Sequence, residues 1–384
     1  MRIVADQRII GVKEAFSSLG QVQLLSPADL ASTQFLGKVD TLLLRSDLDI
    51  DAALLRKCQP SFVGSPSTGI DHVDFDLLEE KGIGFAHAPG ANADSVRDYI
   101  VAVLLHVSRM EDRSLGGKTL GIVGVGDIGS RVSVAAAAMG MRILMNDPPR
   151  AERDSGFNHL SLQQVVQESD ILTLHVPLVQ EGAYPTLHLF GVDLLSQMKE
   201  GSLLINASRG PVVETQALKS ELKSGRIRAA LDVWEREPEI DWELLGLVDF
   251  GTPHVAGQAV DGKLISTEMI YDACCHHFGI IPTWKADSLL TQTRIEGSRS
   301  GSIEERIGSV VSLVYDVESD YQDLKAALQI PLEQRSAVFR TIREDYLERR
   351  EFVSHTIVVE QPCAFSEVCA GLGFQLDFRP PERN

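Results

Sequence analysis

The run Leu120-Gly-Ile-Val-Gly-Val-Gly-Asp-Ile-Gly129 most constrains what this chain can fold into. Its apolar start, Leu120 to Val123, has the composition of a strand and leads directly into a Gly-x-Gly-x-x-Gly motif. A helical run from Ser130 to Met139 follows, and a second strand, Arg142 to Asn146, then leads to Asp147. A strand, a glycine turn, a helix, a second strand and an acid in this order predict a βαβ unit of an open, parallel α/β sheet.

The three glycines of the motif have separate roles in such a unit. Gly124 allows the tight turn, Gly126 lets the backbone approach a pyrophosphate, and Gly129 lets the helix pack against the strand. The following helix starts near Asp127 and Ile128, and its first N–H groups are free to bind phosphate oxygens. We therefore predict that this stretch binds a dinucleotide. The alternative is a glycine-rich turn in an ordinary α/β fold.

Asp147 indicates which dinucleotide is bound. It follows the glycines by about 20 residues, where a carboxylate can bond the ribose hydroxyls of NAD. The 2′-phosphate of NADP would meet the same negative charge, so the predicted cofactor is NAD. Arg150 is close enough in sequence to soften that preference.

Composition limits the classes of protein to which the chain can belong. Its 384 residues suit two or three domains, and 54 acidic against 36 basic residues give a formal net charge of -18. That charge argues against a general binder of nucleic acids or membrane surfaces, although a local arginine cluster could still bind an anionic substrate. No run reaches the roughly 18 uncharged apolar residues that a transmembrane helix needs.

The cysteines favour a cytoplasmic protein with reduced thiols. The N-terminus lacks the pattern of a signal peptide, and the odd number of cysteines includes no Cys-x-x-Cys pair. The five cysteines are Cys58, Cys274, Cys275, Cys363 and Cys369. We expect no metal site at Cys274-Cys275-His276-His277, because adjacent residues of a helix point in different directions.

Alternating strands and helices predict an α/β protein with three domains. Residues 1–93 and 259–285 would form a substrate domain, and residues 94–258 a Rossmann-type NAD domain. Residues 286–384 would be a polar connection followed by a small α+β domain. In this last domain we expect strands at Val310–Val317 and Thr356–Glu360.

Polar side chains follow three successive strands of the predicted NAD domain. The loops are Asn206-Ala-Ser-Arg-Gly210, Asp232-Val-Trp-Glu-Arg-Glu-Pro238 and Thr252-Pro-His-Val-Ala-Gly257. Because parallel strands end at one edge of a sheet, we expect all three loops to lie at the cofactor edge.

The residue types in these loops suit the oxidation of an alcohol by hydride transfer, which also requires removal of the hydroxyl proton. His254 could take that proton near neutral pH, and Glu237 would stabilise the resulting imidazolium. Arg209 could hold a substrate carboxylate in a bidentate fork. Asp232 is placed to bond the nicotinamide amide. Each residue alone is more often structural, but their joint occurrence favours the catalytic interpretation.

These motifs resemble the D-isomer-specific 2-hydroxyacid dehydrogenase family over nearly the whole chain. Two further stretches, Leu313-Val-Tyr-Asp-Val317 and Tyr346-Leu-Glu-Arg-Arg-Glu-Phe352, resemble the extra C-terminal domain of one branch of that family. The remaining matches are Leu44-Arg45-Ser46, Gly69-Ile-Asp-His-Val-Asp74, Ala88-Pro-Gly-Ala-Asn-Ala93, Asp147-Pro-Pro-Arg-Ala151 and Leu231-Asp-Val-Trp-Glu235.

The resemblance implies a fold and a set of functional residues. The fold would be a Rossmann-type NAD domain, a flavodoxin-like substrate domain and a C-terminal domain through which the chain forms a homodimer. The active-site residues would be Arg209, Glu237 and His254, and NAD contacts would include Asp147, Val176, Asp232 and Gly257. The substrate contacts would be Arg45, Ser46, Ser67 and Gln258, the last standing where the family usually has tyrosine.

The reaction implied is the oxidation of 4-phospho-D-erythronate at C2 by NAD, within pyridoxal phosphate biosynthesis. Asp47-Leu48-Asp49 stands where the branch tends to have Val-Thr-Lys. The loss of a lysine and the gain of two acids would weaken a nearby phosphate site. A dehydrogenase of another D-2-hydroxy acid is therefore a second hypothesis. A non-catalytic NAD(H)-sensing interaction protein is the third, and the presence of Arg209, Glu237 and His254 together argues against it.

Overall fold

The computed structural model describes residues 1–32, 39–56, 58–297, 300–346 and 349–379. The chain forms two compact units. The first unit comprises Met1–Asn92 and Ala259–Thr291, and the second comprises Ala93–Gln258 and Gln292–Asn384. The C-terminal segment thus groups with the second unit, where it has a small sheet of its own. The domain boundaries expected from the sequence stay a prediction.

The first unit contains a sheet of five parallel strands in the order β2-β1-β3-β4-β5, which is the flavodoxin-like order. The strands are β1 (Arg2–Asp6), β2 (Gln21–Leu25), β3 (Thr41–Leu43), β4 (Phe62–Ser65) and β5 (Gly84–His87). The helices between them are α1 (Val12–Phe16), α2 (Pro27–Ala31), α3 (Ala52–Leu55) and α4 (Phe75–Glu80). The expected flavodoxin-like fold of this unit is confirmed.

The second unit is built on six parallel strands in the order β11-β10-β9-β8-β6-β7. The strands are β6 (Thr119–Val123), β7 (Arg142–Asn146), β8 (Ile171–Leu174), β9 (Leu203–Asn206), β10 (Arg228–Leu231) and β11 (Phe250–Gly251). The helices are α5 (Ala93–Glu111), α6 (Asp127–Ala138), α7 (Pro148–Arg153), α8 (Leu162–Glu168), α9 (Val192–Gln197), α10 (Thr215–Lys223) and α11 (Trp242–Leu245). The expected Rossmann-type architecture is confirmed.

The topology of this sheet places the glycine motif where a ligand is expected. The chain runs from β6 to β7 on one side and then crosses to β8 on the other side of β6. Such a reversal opens a crevice at the carboxyl ends of the strands, where ligands of open α/β sheets bind. The glycine turn follows β6 at that point.

The long helix α12 (Val260–His277) returns the chain to the first unit. It covers one face of the five-stranded sheet, where Ile270 and Cys274 pack in a cluster with Ile3, Leu43 and Phe62. The next residues of these strands point to the other face, because side chains alternate along a strand. Burial of the sheet on both faces explains the apolar runs of its central strands β1, β3 and β4.

The C-terminal segment forms a three-stranded parallel sheet in the order β12-β13-β14. Its strands are β12 (Thr293–Glu296), β13 (His355–Val359) and β14 (Gln375–Phe378), and its helices are α13 (Ile303–Val314), α14 (Val317–Ala326), α15 (Leu332–Glu344) and α16 (Ala364–Gly371). The strand expected at Thr356–Glu360 is confirmed, within one residue, as β13. The small α+β domain expected here is therefore present as a sheet with packed helices.

The prediction of a strand at Val310–Val317 is wrong, because Ile303–Val314 is a helix. Ser302 begins this helix with a capping box, in which its hydroxyl accepts from the Glu305 N–H while the Glu305 carboxylate accepts from the Ser302 N–H. The expected polar connection at 286–302 also contains a strand, β12. Residues 298–299 of that connection and 347–348 of the Tyr346–Phe352 motif lie outside the described residues. Among the described residues, no helix is long and apolar enough to cross a membrane.

Candidate cofactor and catalytic site

The glycine turn after β6 has the geometry that its sequence predicts. Gly124 adopts φ of 86°, and a Cβ there would lie 2.4 Å from the His175 carbonyl oxygen and 2.8 Å from Val176 Cγ1. A Cβ on Gly129 would lie 2.1 Å from the Gly124 carbonyl oxygen. These two glycines are therefore needed for the turn and for the approach of α6 to β6.

Gly126 differs from the other two glycines, because a Cβ there would have no atom of the described residues within 4 Å. It caps α6, whose first residues are Asp127 and the half-buried Ile128. Gly126 and Asp127 line a cavity of about 770 Å³. The open space beside the N-terminus of a helix fits the pyrophosphate of a dinucleotide.

Asp147 lies at the edge of the same cavity, after β7. Its Oδ2 accepts a hydrogen bond of 2.8 Å from the Val125 N–H, and its Oδ1 caps α7 by accepting one of 2.8 Å from the Arg150 N–H. The Arg150 guanidinium donates to the Val125 carbonyl oxygen and stacks on Phe157 at 4.5 Å. The carboxylate therefore lies beside the glycine turn, where a ribose is expected, and Arg150 is held by groups of the protein.

The contrast between two of the glycines predicts separable effects. Gly129→Ala should destabilise the cofactor-free protein by about 1–3 kcal/mol, because its Cβ would overlap a backbone oxygen. Gly126→Ala should change that stability by less than about 0.5 kcal/mol, yet raise the Kd for NAD by about ten-fold or more, because its methyl would fill the space reserved for phosphate. Thermal melts and titration calorimetry with NAD measure the two effects. An unchanged Kd for Gly126→Ala would contradict this assignment.

His254 and Glu237 form the centre of the expected catalytic constellation. His254 Nδ1 lies 2.7 Å from Glu237 Oε2, and Glu237 Oε1 accepts a 2.8 Å hydrogen bond from the Trp234 N–H. Burial would raise the pKa of Glu237, but the interaction with His254 and the Trp234 N–H lower it overall. Glu237 is thus a carboxylate near neutral pH and carries no proton to donate. Nδ1 must be the donor of this bond, which leaves Nε2 of a neutral His254 as the nitrogen that can accept a proton.

Asp232 holds the loop that carries His254. Its Oδ1 accepts hydrogen bonds from the Thr252 hydroxyl at 2.7 Å and the Val255 N–H at 2.8 Å, and its Oδ2 accepts one from the Ala256 N–H at 3.1 Å. Burial raises the pKa of Asp232, although these hydrogen bonds act to lower it. His254 itself has φ of 59°, so this network fixes a backbone conformation that few residues adopt. The expected contact of Asp232 with nicotinamide stays a prediction.

The loop after β9 packs closely against the loop after β10. A Cβ on Gly210 would lie 2.1 Å from the carbonyl carbon and oxygen of Trp234. The neighbouring Arg209 donates from Nη1 to the Ser208 carbonyl oxygen at 2.9 Å, and the Asn206 amide donates to the Arg209 carbonyl oxygen at 3.0 Å. The loops that carry Arg209 and Glu237 are therefore in contact, and His254 is bonded to Glu237.

Two supporting residues lie within the three polar loops, but the sequence motifs indicated no role for them. Thr252 bonds both Asp232 and the Tyr99 hydroxyl, and Trp234 presents its N–H to Glu237 while its indole Nε1 donates to the Thr252 carbonyl oxygen. The three-residue spacing from Trp234 to Glu237 was the available signal, because a carboxylate can bond a backbone N–H three residues earlier in a tight turn.

The expected substrate contacts divide between the units. Arg45, Ser46 and Ser67 lie in the first unit, after β3 and β4, and Gln258 lies in the second, at the end of the His254 loop and next to the expected NAD contact Gly257. The Ser67 hydroxyl donates to the Gly69 carbonyl oxygen at 2.9 Å and lies 2.9 Å from the Ser65 hydroxyl. Ser65 is in turn 3.0 Å from His72 Nε2, and burial lowers the pKa of His72.

One of the two acids that replace the family's Val-Thr-Lys is paired with an arginine. Asp47 Oδ2 lies 2.7 Å from Arg8 Nη2, and the same guanidinium lies 2.6 Å from Asp6 Oδ2. Hydrogen bonds to Asp6, followed by those to Asp47, raise the pKa of Arg8, so the cation persists. Asp47 is therefore ion-paired, but Arg8 is shared with Asp6, so these three side chains together keep one negative charge.

Comparison with known proteins identifies the family. Residues 97–256 match the NAD binding domain of the D-isomer specific 2-hydroxyacid dehydrogenases, and residues 290–373 match a domain of unknown function. Erythronate-4-phosphate dehydrogenase of Salinibacter ruber is 38% identical, with 98% of this chain and 99% of that protein covered. The enzyme of the same name from Escherichia coli is also 38% identical, with 99% of this chain and all of that protein covered.

The chain belongs to the D-isomer specific 2-hydroxyacid dehydrogenase family. It is therefore a member of a family of NAD-dependent oxidoreductases, and NAD is its cofactor. A solved D-lactate dehydrogenase from Aquifex aeolicus, complexed with NAD and lactic acid, is 26% identical with a TM-score of 0.61. The match covers 96% of that chain but 72% of this one, so this family member carries an addition to the shared fold.

Proposed function

We propose that this family member oxidises 4-phospho-D-erythronate at C2 with NAD, giving 2-oxo-3-hydroxy-4-phosphobutanoate for pyridoxal phosphate biosynthesis. The observation that carries the chemistry is the 2.7 Å contact between His254 and Glu237 in the loops that end β10 and β11. The full-length similarity to proteins named erythronate-4-phosphate dehydrogenase supports the substrate.

His254 is the proposed acid/base. Nε2 takes the proton of the C2 hydroxyl, while Glu237 keeps Nδ1 protonated and stabilises the imidazolium that forms. NAD, when bound, supplies the acceptor for the hydride that leaves C2. Arg209 is the proposed anchor of the substrate carboxylate, which orients C2 and polarises the adjacent oxygen.

The glycine turn and the loops beyond it are the proposed cofactor contacts. Gly124, Gly126, Gly129, Asp127 and Ile128 belong to the phosphate-binding turn. Further contacts are proposed for Asp147, Val176, Asp232 and Gly257, and the substrate contacts are proposed at Arg45, Ser46, Ser67 and Gln258. The pairing of Asp47 with Arg8 weakens the repulsion that an isolated carboxylate would exert on a substrate phosphate, so a phosphorylated substrate stays compatible with Asp47.

Steady-state oxidation tests the proposal. We expect kcat/KM for 4-phospho-D-erythronate to exceed that for D-glycerate, which lacks the phosphate, by about a hundred-fold or more, and that for 3-phosphoglycerate, which is one carbon shorter, by about ten-fold or more. A 2-oxo acid is added to the assay so that NADH which stays bound after turnover can be reoxidised. Activity on another D-2-hydroxy acid alone would keep the mechanism and overturn the substrate. Absence of turnover with every acid, despite NAD binding, would favour a sensing protein.

The Glu237 carboxylate gives a prediction for pH dependence. Its pKa is lower in the folded protein than in the unfolded chain, so its contribution to stability is present above the unfolded value and is lost as the pH falls through the folded value. We expect Glu237→Gln to unfold more easily than the parent by roughly 1–3 kcal/mol at pH 7, and the difference to shrink between pH 5 and pH 3. Turnover at pH 7 should fall by about ten- to a hundred-fold, because the amide cannot stabilise an imidazolium.

Thermal melts of both proteins across this range, with kcat at pH 7, provide the measurement. Glu235→Gln is the matched control, since Glu235 also pairs with a histidine, His188, at 2.6 Å but lies outside the catalytic constellation. Its kcat should stay within about two-fold of the parent value. A pH-independent stability difference for Glu237→Gln would contradict the assignment.

We also propose a cytoplasmic location, with which the buried thiols of Cys274, Cys275 and Cys369 are consistent. We further propose that the chain forms a homodimer through its C-terminal segment. The described part of the segment exposes large apolar side chains, among them Leu313 at 72% and Leu332 at 63%. Sedimentation velocity should give twice the monomer mass, and Leu313→Asp should shift the population toward monomer at micromolar concentration. A parent protein that sediments as a monomer would overturn the dimer.

A further inference from the structure

A buried arginine of the C-terminal segment bonds the loop that carries His254. Arg349 is 7% exposed, and its Nη2 donates to the Ala256 carbonyl oxygen at 2.6 Å and to the Ser95 carbonyl oxygen at 3.3 Å. Its guanidinium stacks on the Tyr315 ring at 4.1 Å. Among the described residues, its Nε and Nη1 have no hydrogen-bond partner. The bond to the Ala256 carbonyl oxygen is the shorter of the two bonds that Nη2 donates.

The residues that follow Arg349 in the chain fix the position of its backbone. Glu351 Oε1 accepts a 2.5 Å hydrogen bond from the Ser95 hydroxyl, and the Phe352 N–H donates to Asp98 Oδ2 at 2.7 Å. Both bonds join residues about 250 positions apart within the second unit. The backbone around Arg349 is therefore attached to the first turns of α5, and its guanidinium can hold a fixed position.

Both sides of Ala256 are held by buried charged groups. Its N–H donates to Asp232 Oδ2 at 3.1 Å, and its carbonyl oxygen accepts from Arg349 at 2.6 Å. The peptide that contains this carbonyl also contains the Gly257 N–H, and in a planar trans peptide the two groups point in opposite directions. No acceptor for the Gly257 N–H occurs in the described part of the chain, and Gly257 is half-buried.

We propose that Arg349 is a positioning residue for the cofactor and for His254: by holding the Ala256 carbonyl it fixes the direction of the Gly257 N–H and the conformation of the His254 loop. The inference rests on the proposed function, in which Gly257 contacts NAD and His254 is the acid/base. It gives the C-terminal addition a role in the chemistry of the chain, besides any role in assembly.

Arg335 provides a matched control for the test. It belongs to α15 of the same segment, donates to the carbonyl oxygens of Ile330 and Leu328 at 3.0 Å, and its guanidinium lies 5.8 Å from the Trp242 ring. It thus makes the same kinds of contact as Arg349 without bonding the His254 loop. Replacing either arginine by methionine should lower stability, whereas only the change at Arg349 should alter cofactor binding.

The experiment measures the Kd for NAD by calorimetry, kcat and KM for 4-phospho-D-erythronate, and Tm, on the full-length variants. Arg349→Met should raise the Kd for NAD by about ten-fold and lower kcat by about ten-fold, with a smaller effect on substrate KM. Arg349→Lys should recover part of both losses, because an ammonium can still donate to the Ala256 carbonyl. Arg335→Met should leave Kd and kcat within about two-fold of the parent.

Equal Kd values for Arg349→Met and the parent, at whatever Tm, would overturn the proposal and leave Arg349 a structural residue. If Arg349→Met does not fold, the comparison of Arg349→Lys with Arg335→Lys decides: a weaker Kd confined to Arg349→Lys supports the role, and equal values overturn it. NAD binding is measured without substrate, so a chain that fails to oxidise 4-phospho-D-erythronate would refute the proposed function and still test Arg349.

Discussion

His254→Asn is expected to lower kcat for 4-phospho-D-erythronate oxidation by about 10²–10⁴-fold, the range found when a general base is removed. Nε2 of His254 is the group placed to take the hydroxyl proton, because Nδ1 is committed to Glu237. Asparagine is the suitable replacement, since it tolerates the φ of 59° at this position. The Kd for NAD should change by less than about three-fold, because the cofactor turn after β6 is untouched.

His188→Asn is the control for this change. His188 also has a positive φ, 50°, and its Nε2 also pairs with a glutamate, Glu235, at 2.6 Å. Removing it deletes a pair of the same chemistry whose histidine lies outside the three loops, so kcat should stay near the parent value. Stopped-flow and steady-state measurement of NADH formation separates the chemical step from product release. Near-normal turnover by His254→Asn would refute the catalytic assignment.

The αβ repeats could be predicted from the sequence because their signals are local. Buried parallel strands appear as short apolar runs, and the turns between them are marked by glycine and polar residues. Two elements were missed: no strand was predicted at β2, and a strand was predicted where α13 lies. The first is an edge strand whose residues are mostly half-buried or exposed, and the second is a helix whose run Ser-Val-Val-Ser-Leu-Val is rich in β-branched residues. In α13 the burial of Ile307, Val310 and Val311 along one face decided the outcome over local propensity.

The proximity of the three polar loops could be predicted, because topology alone brings them together. Strand ends of a parallel sheet meet at one edge, so Glu237 and His254 were expected to be neighbours before any contact was known, and the structure joins them. The roles of Arg8 and Arg349 were beyond such reasoning. Each acts on a residue far away in sequence, Asp47 or Ala256, through a single side chain whose direction no periodicity encodes.

Arg209→Met is expected to lower kcat/KM for 4-phospho-D-erythronate by about 30- to 5,000-fold, corresponding to roughly 2–5 kcal/mol for the loss of one partner of a buried charged pair. The loss should fall on both KM and kcat, because the guanidinium would bind the carboxylate in the ground state and polarise the C2 oxygen in the transition state. Arg209→Lys should lose nearly as much, since an ammonium keeps the charge but cannot form the bidentate fork.

The substrate offers a sharper control than a second site on the protein. In the corresponding alcohol, a CH2OH group replaces the carboxylate, so Arg209 has no anion to bind. The parent should oxidise this alcohol poorly, and Arg209→Met should oxidise it at nearly the same rate as the parent, because the two changes remove the same interaction. Arg142→Met, which breaks the exposed ion pair with Glu168, should leave both substrates unaffected. If the losses in kcat/KM from the protein change and the substrate change multiply, the two changes act independently. Arg209 would then not act on the carboxylate.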